Sequence, residues 1–406
     1  MTQVEALAKY AARASFADLS AESRRQLPIH ILDSLGCCIA ALGAGPVEAC
    51  REQVAEFGGS GRDLMLAVAL GYTVQSRFVD HADFMSSGFD HTSQLAFSLN
   101  AAAGRLLGLG EQQTANAIAM AAVSDASFAV VRAKPLSQWK GLASAQSALG
   151  AMNTLFLARR GVEGPLQVIE GPLGIDHLLR MKINIDWDKE GYEGVVGSTI
   201  KKYNSMIHTQ SAVHCMVELV KQNKIDPGKV VSIEAEVFQL AYDFAGGGLY
   251  GMDKVIRTKE QGDHSLPYLL AVALLDGDVM LAQFQPERIA KSDVQTLLKK
   301  VSVRPNHDFT EEYPGKMPAK ITVRLQDGKV IEHEVQDYPG LASRPFTWEE
   351  SVEKFDRLVA GRADGVLSGE IKDAVRSVEN IQVRDLMKLL GHVKASQRSA
   401  ASSTTT

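Results

Sequence analysis

The hydrophobic period changes twice along this chain, and that limits the folds open to it. Up to roughly residue 180, apolar side chains recur at three- and four-residue steps, as in Ile29-Ile31-Leu32-Leu35-Ile39. That is the spacing of one helix face. The stretch 94–109 concentrates small residues: Ala96, Ser98, Ala101, Ala102, Ala103 and Gly104. Small residues let helices approach closely, so this segment reads as a buried helix in a bundle. Further helices are expected over 111–126, 142–160 and 165–170, with Gly161 as a stop behind Arg159-Arg160. Near residue 190 the period shortens. Val230-Val231-Ser232-Ile233-Glu234-Ala235-Glu236-Val237 and Ala319-Lys320-Ile321-Thr322-Val323-Arg324-Leu325 mix alternation with β-branched residues. Asp327-Gly328 then turns into Val330-Ile331-Glu332-His333-Glu334-Val335, a hairpin signal. Helices are expected between these strands at 208–222, 264–275 and 286–299. Thr347-Trp348-Glu349-Glu350 has the form of a capping box, and helical spacing follows it to about Lys394.

The pattern predicts a mainly α protein. A helical body takes residues 1–198 and 340–394 from both chain ends, and a smaller α+β insert, 199–339, lies between them. The Ser/Thr/Ala-rich tail 395–406 is expected to be disordered. With 406 residues, 45% of them hydrophobic, the chain has ample material for a core. Lys and Arg total 43 against 48 Asp and Glu, so no basic excess points to nucleic acid. A few local cations still suffice to hold a small anion. The stretch Met1–Tyr10 lacks the apolar core of a signal peptide, and no uncharged apolar run reaches the ~18 residues of a membrane span. Cys37, Cys38, Cys50 and Cys215 form no CxxC pair, which suits reduced thiols in a cytoplasmic protein.

Formal motif matches are weak. Gly246-Gly247-Gly248-Leu249-Tyr250-Gly251 fits GxGxxG, but no strand precedes it and no helix opens after it, so a loop is expected. Asp80-His81-Ala82-Asp83 lacks the spacing of a zinc site and reads as a solvated helix end. Five polar groups stand out. His91 precedes the small-residue helix, either as a plain cap or aimed into a cleft with the helix dipole behind it. Lys140, in Trp139-Lys140-Gly141, leads into an Ala-rich helix, unlike most surface lysines. Lys201-Lys202-Tyr203 with His208 lies where the helical pattern gives way to mixed character. Domain junctions favour ligand clefts, although a solvated linker fits equally well. Asp263-His264-Ser265-Leu266-Pro267-Tyr268 precedes an apolar helix, with Asp263 or Ser265 as N-cap and His264 and Tyr268 spaced to share a face. In His30-x-x-Asp33-x-x-Gly36, Asp33 needs a partner inside an apolar helix and Gly36 permits close packing, so this run is assigned to architecture.

Together these segments resemble the MmgE/PrpD family. The resemblance rests on the 30–36 run, Gly61-Arg62-Asp63-Leu64 with Gly71-Tyr72, Asp90-His91-Thr92, Trp139-Lys140-Gly141 and Glu170-Gly171-Pro172-Leu173-Gly174. It continues through Lys202-Tyr203, His208-Thr209-Gln210-Ser211 and His264-Ser265-Leu266-Pro267-Tyr268, in family order. It implies a large all-α domain built from both chain ends with a smaller α+β lid domain inserted, and a homodimer that uses no metal and no organic cofactor, with an active site between its two domains and a small di- or tricarboxylate as substrate. By resemblance His91, Lys140, Lys202 and His208 match active-site positions, while His264, Ser265 and Tyr268 match a motif near the cleft. The implied chemistry is lyase chemistry: dehydration of a 2-methylcitrate-like acid, with decarboxylation or epimerisation of a related acid as alternatives. Lysines would hold carboxylates, His91 and His208 would share acid and base work, and Tyr268 would donate a proton or orient. The family pattern also carries a D-x-(N/D)-D-T stretch and a (G)HPS sequence ahead of Gly61. Here Phe57-Gly58-Gly59 runs straight into Ser60 and neither is present. That departure keeps a further alternative open, a catalytically impaired relative that binds or dimerises.

Overall fold

The computed structural model describes residues 1–41 and 59–394. The expected disordered tail 395–406 and the junction at Phe57-Gly58 lie outside the described residues. In chain order the longer elements are α1 (Gln3–Arg13), α2 (Ala21–Ala40), α3 (Gly61–His81), α4 (Leu95–Leu106), α5 (Glu111–Ser124), α6 (Trp139–Arg159), α7 (Gln210–Gln222), β1 (Val230–Val237), α8 (Leu266–Asp276), β2 (Val301–Pro305), β3 (Ala319–Leu325), β4 (Val330–Val335), α9 (Trp348–Val359), α10 (Gly365–Arg376) and α11 (Val383–Gly391). The protein is mainly α with one small sheet.

The chain divides into two compact units. One draws on Met1–Ala133, Trp139–Ser198 and the residues from Thr347 onward. The other draws on Lys134–Gln138 and Thr199–Phe346. The division therefore falls beyond residue 339. Gly340 sits at φ +110°, where a Cβ would lie 2.1 Å from the Ile200 carbonyl oxygen. Its own carbonyl accepts from the Ile200 N–H at 2.8 Å. Lys134 ties the short 134–138 strip to the second unit through Asp253, at 3.1 Å.

In the helical unit α4 packs on α3, α5 and α6, and α2 packs on α9. The small residues of α4 allow this, since Ala96, Ala101 and Gly104 are all buried. Each helix start has a local cause. Thr2 and Glu5 close a capping box on α1, Ser60 Oγ accepts from Asp63 N–H at α3, and Thr347 with Glu350 caps α9 as its sequence predicts. The architectural reading of the 30–36 run has its physical basis here. Asp33 pairs with Lys354 of α9 at 2.5 Å, and Gly36 lies against Phe355 and Leu358 of the same helix. The helix expected over 165–170 is a set of turns instead. The chain folds back at Gly171-Pro172, so that Ile175 and Asp176 donate to the carbonyls of Val168 and Ile169. A continuing helix would need those carbonyls for itself.

In the mixed unit the sheet order is β2-β1-β3-β4. β1 pairs parallel with β2 (Ile233 opposite Val301) and antiparallel with β3 (Ile233 opposite Val323). β3 and β4 form the hairpin announced by Asp327-Gly328, with Gly328 at φ +84° in the turn. α7 and α8 cover the sheet and bury Val213, Met216, Leu269 and Leu270 against Ile233, Ile321 and Val323. α8 is apolar all round and almost wholly buried, as an interior helix must be. The GxGxxG match is turn and loop, with Gly247 and Gly251 at positive φ.

Candidate active site

In the helical unit the residues around His91 form a compact polar cluster. Asp90 is fully buried and opens a short 3₁₀ turn, His91–Gln94, by accepting from Thr92 N–H at 2.8 Å. Its Oδ1 lies 3.1 Å from His91 Nδ1. Its carboxylate also accepts from Arg132, through Nε at 2.5 Å and Nη2 at 3.3 Å. Burial by itself would push the Asp90 carboxyl up. The Arg132 guanidinium and the Thr92 N–H outweigh it and hold the group below the usual carboxylate range. Arg132 Nη1 donates to the Lys140 carbonyl at 3.4 Å, so one guanidinium spans the segments carrying His91 and Lys140. Ser147 Oγ of α6 donates to the Thr92 carbonyl at 3.3 Å and fixes the turn against that helix. The His91 side chain is 57% exposed while its Asp90 support is wholly enclosed.

In the mixed unit the second cluster forms around the 203–211 loop. Gln210 is fully buried at the start of α7. Its side chain accepts from Tyr203 N–H at 2.9 Å and donates toward the carbonyls of Tyr203 and Ser205. This clamp sets the loop between Lys202 and His208. His208 lies on the turn Ile207–Thr209 within a ring of aromatic groups. The ring centroids of Phe238, Phe244 and Tyr313 are 6.0, 6.0 and 6.1 Å away. Burial first, then the positive charges of Lys201 and His264, pull His208 down to about 4. It is therefore neutral near pH 7, and its Nδ1 is enclosed without a hydrogen-bond partner. Met206 N–H donates to the Asp263 carbonyl at 3.0 Å and joins this loop to the His264 segment. There Asp263 sits between His264 Nδ1 and Lys259 Nζ, the latter at 2.8 Å.

The remaining expected positions have plain placements. Ser265 caps α8 by accepting from Tyr268 N–H at 3.4 Å. The Tyr268 ring is fully buried in the mixed-unit core, and its hydroxyl donates to the Gln283 carbonyl. Burial pushes that hydroxyl up to about 12. Lys202 Nζ stands 5.9 Å from the Tyr203 ring centroid. The Asp80-Asp83 stretch is a solvated helix end, where Asp80 pairs with Arg77 and His81 Nδ1 meets the Arg77 carbonyl. Among the described residues no group of three His, Cys, Asp or Glu is arranged to hold a metal ion. None of the described helices is long and apolar enough to cross a membrane. Arg132 and Tyr313 carry no motif signal in the sequence and emerge only from the fold. Asp90 and Gln210 lie inside quoted motifs, but their roles need the third dimension.

Residues 55–186 match the MmgE/PrpD N-terminal domain and residues 203–380 the MmgE/PrpD C-terminal domain. The chain belongs to the MmgE/PrpD family. Among its MmgE/PrpD relatives, it is 25% identical over 348 residues to a cis-aconitate decarboxylase of Homo sapiens, covering 80% of this chain and 67% of that one. It is 21% identical over 342 residues to a mitochondrial 2-methylcitrate dehydratase of Yarrowia lipolytica, covering 81% and 65%. It is 21% identical over 288 residues to a 2-methylcitrate dehydratase of Escherichia coli, covering 68% and 59%. The chain thus spans about two thirds or less of the length of these MmgE/PrpD proteins.

Proposed function

We propose that this chain is a lyase that dehydrates a small 2-methylcitrate-like polycarboxylate without an added cofactor. The observation that carries the reading is His208: a neutral imidazole with an unpartnered, enclosed nitrogen, beside Lys201 and His264. Such a group is unprotonated at neutral pH, so its lone pair is available for a proton from the substrate. Removing a proton next to a carboxylate builds negative charge, and that charge needs cations already in place. Lys140 and Lys202 are assigned to the substrate carboxylates. His208 is assigned as the base that takes the substrate proton, and His91 shares the acid and base work with it. A bound polycarboxylate also raises the basicity of His208, because nearby anions favour its protonated form. His264 and Ser265 are assigned to substrate binding. Tyr268 enters through the placement of α8, since its hydroxyl is engaged by Gln283. A homodimer belongs to the proposal on the family resemblance alone.

A second reading is decarboxylation of cis-aconitate. It is favoured by the 25% identity to a decarboxylase, against 21% to the dehydratases. The test is turnover by purified protein given 2-methylcitrate, citrate, cis-aconitate or iminodisuccinate, with products identified by mass spectrometry and chiral analysis. Loss of water from 2-methylcitrate, reduced at least ~100-fold in His91→Gln and His208→Asn, is the expected result. Loss of CO2 from cis-aconitate would establish the second reading. No product from any of the four acids, with folded protein, would overturn both and leave a binding role.

A further inference from the structure

We infer that Asp90, locked by Arg132, is a positioning residue that fixes the tautomer and direction of His91. The inference rests on the proposed role of His91 in turnover, and its central measurement does not depend on that role.

Asp90 is fully enclosed, and both of its oxygens are committed. Oδ2 faces Arg132 Nε, while Oδ1 meets Arg132 Nη2, Thr92 N–H and His91 Nδ1. Enclosing a carboxylate is costly unless cations and N–H groups surround it. Arg132 on both oxygens and the Thr92 N–H on Oδ1 hold the carboxylate in one orientation, with Oδ1 beside the imidazole. A carboxylate accepts hydrogen bonds and does not donate them. The negative charge 3.1 Å from Nδ1 therefore draws the proton of the neutral ring to that nitrogen and sets the Nε2 lone pair on the side of the ring away from Asp90. Arg132 extends the arrangement, because its Nη1 holds the carbonyl of Lys140 at 3.4 Å. One ion pair thus aligns two residues assigned to the substrate. The mixed unit repeats the design with other residues, where Asp263 stands between Lys259 and His264 Nδ1.

Asp90 is also an N-cap, and a purely structural role would end there. Asp90→Asn separates the two, since Asn caps about as well as Asp while lacking the charge. Nitrogen-15 NMR of the histidine rings at neutral pH reads the tautomer directly. The expected result is a wild-type His91 protonated at Nδ1, moving toward the Nε2–H form in Asp90→Asn. Turnover should fall on the order of 100-fold in kcat with KM nearly unchanged. The loss is smaller than the ~10⁴-fold seen for a buried protease Asp because His91 is half in water. If a lone Arg132 unfolds the variant, Asp90→Asn with Arg132→Gln removes both charges together and permits the same reading. An unchanged His91 tautomer in a folded variant overturns the inference. A shifted tautomer in a protein inactive on all four acids supports the positioning role and rejects the lyase reading instead.

Discussion

Several buried polar side chains in this protein hold neighbouring backbone and side-chain groups in place. Gln210 is the plainest case. Its amide meets the N–H and carbonyl of Tyr203 and the carbonyl and hydroxyl of Ser205, all enclosed. Tyr203, Ser205 and Gln210 are all buried. Gln210→Leu keeps the volume and orphans the backbone groups of Tyr203. An unsatisfied buried group costs about 1–3 kcal/mol, so a loss of roughly 2–4 kcal/mol is expected from urea unfolding. The loop leads back to Lys202 and on to His208, so KM for the proposed polycarboxylate substrate should rise several-fold as well. A change under about 0.5 kcal/mol would show that the clamp is not structural. The sequence names Gln210 inside His208-Thr209-Gln210-Ser211 yet gives no hint of its role. A side chain that binds its own upstream backbone leaves no periodicity to detect. The same holds for Asp90 and Arg132, which are 42 residues apart.

At the scale of elements, long periodic segments were legible and short ones were not. β1, β3 and β4 begin and end at the residues their alternation predicts. β2 escapes because it has only five residues, ends in Pro305 and follows a helical run ending at Lys300. Val301 and Val303 face inward and Ser302 and Arg304 outward, but two alternations are too few to separate from a helix end. The placement of helix ends is equally hidden, and Gly61 shows why. It opens α3, donates its N–H to the Ile381 carbonyl at 2.8 Å, and meets the turn Val378–Asn380. A Cβ there would stand 1.5 Å from the Val378 oxygen. Gly61→Ala therefore forces α3 away from the C-terminal return of the chain. Overpacking of this kind costs about 1–3 kcal/mol or more. For a unit of this size a loss near 3 kcal/mol lowers Tm by roughly 6–12 °C. Hydrogen exchange should show lost protection in α3 and around residues 378–382, with β1 to β4 unchanged. Equal loss in the sheet would mean that the contact stabilises more than the helical unit.

For the whole molecule the decisive charges are histidines kept neutral by burial. Burial lowers His30 of the helical unit to about 4, despite the opposing pull of Asp33. In the mixed unit His208 falls to about 4 and His214 to about 3, again from burial first. Unfolded histidine titrates near 6.5, so below that value the unfolded chain binds protons that the folded chain refuses. Stability therefore falls as pH drops from 6.5 toward 4, with His214 extending the loss toward 3. Asp276 and Asp90 act in the same direction further down, since Arg288 and Arg132 outweigh burial and hold them below the usual carboxylate value. Asp125 opposes, because its burial raises it and favours the folded state in acid. One opposing carboxyl against three histidines leaves a net loss. Each histidine contributes up to about 1.4 kcal/mol per pH unit within its window. Denaturant midpoints measured from pH 7 to 4 should fall steadily, and His214→Asn should flatten the slope by about one proton. A midpoint independent of pH over that range would contradict the buried-neutral assignment of all three. The same burial bears on activity. His208, the proposed base, titrates near 4 and is still unprotonated at pH 5.5, so activity lost between 6.5 and 5 should follow unfolding and not the protonation of His208. Turnover and intrinsic fluorescence followed on one sample across that range should decline together. Activity that vanishes while the fold persists would move the essential base to a group with a higher pKa.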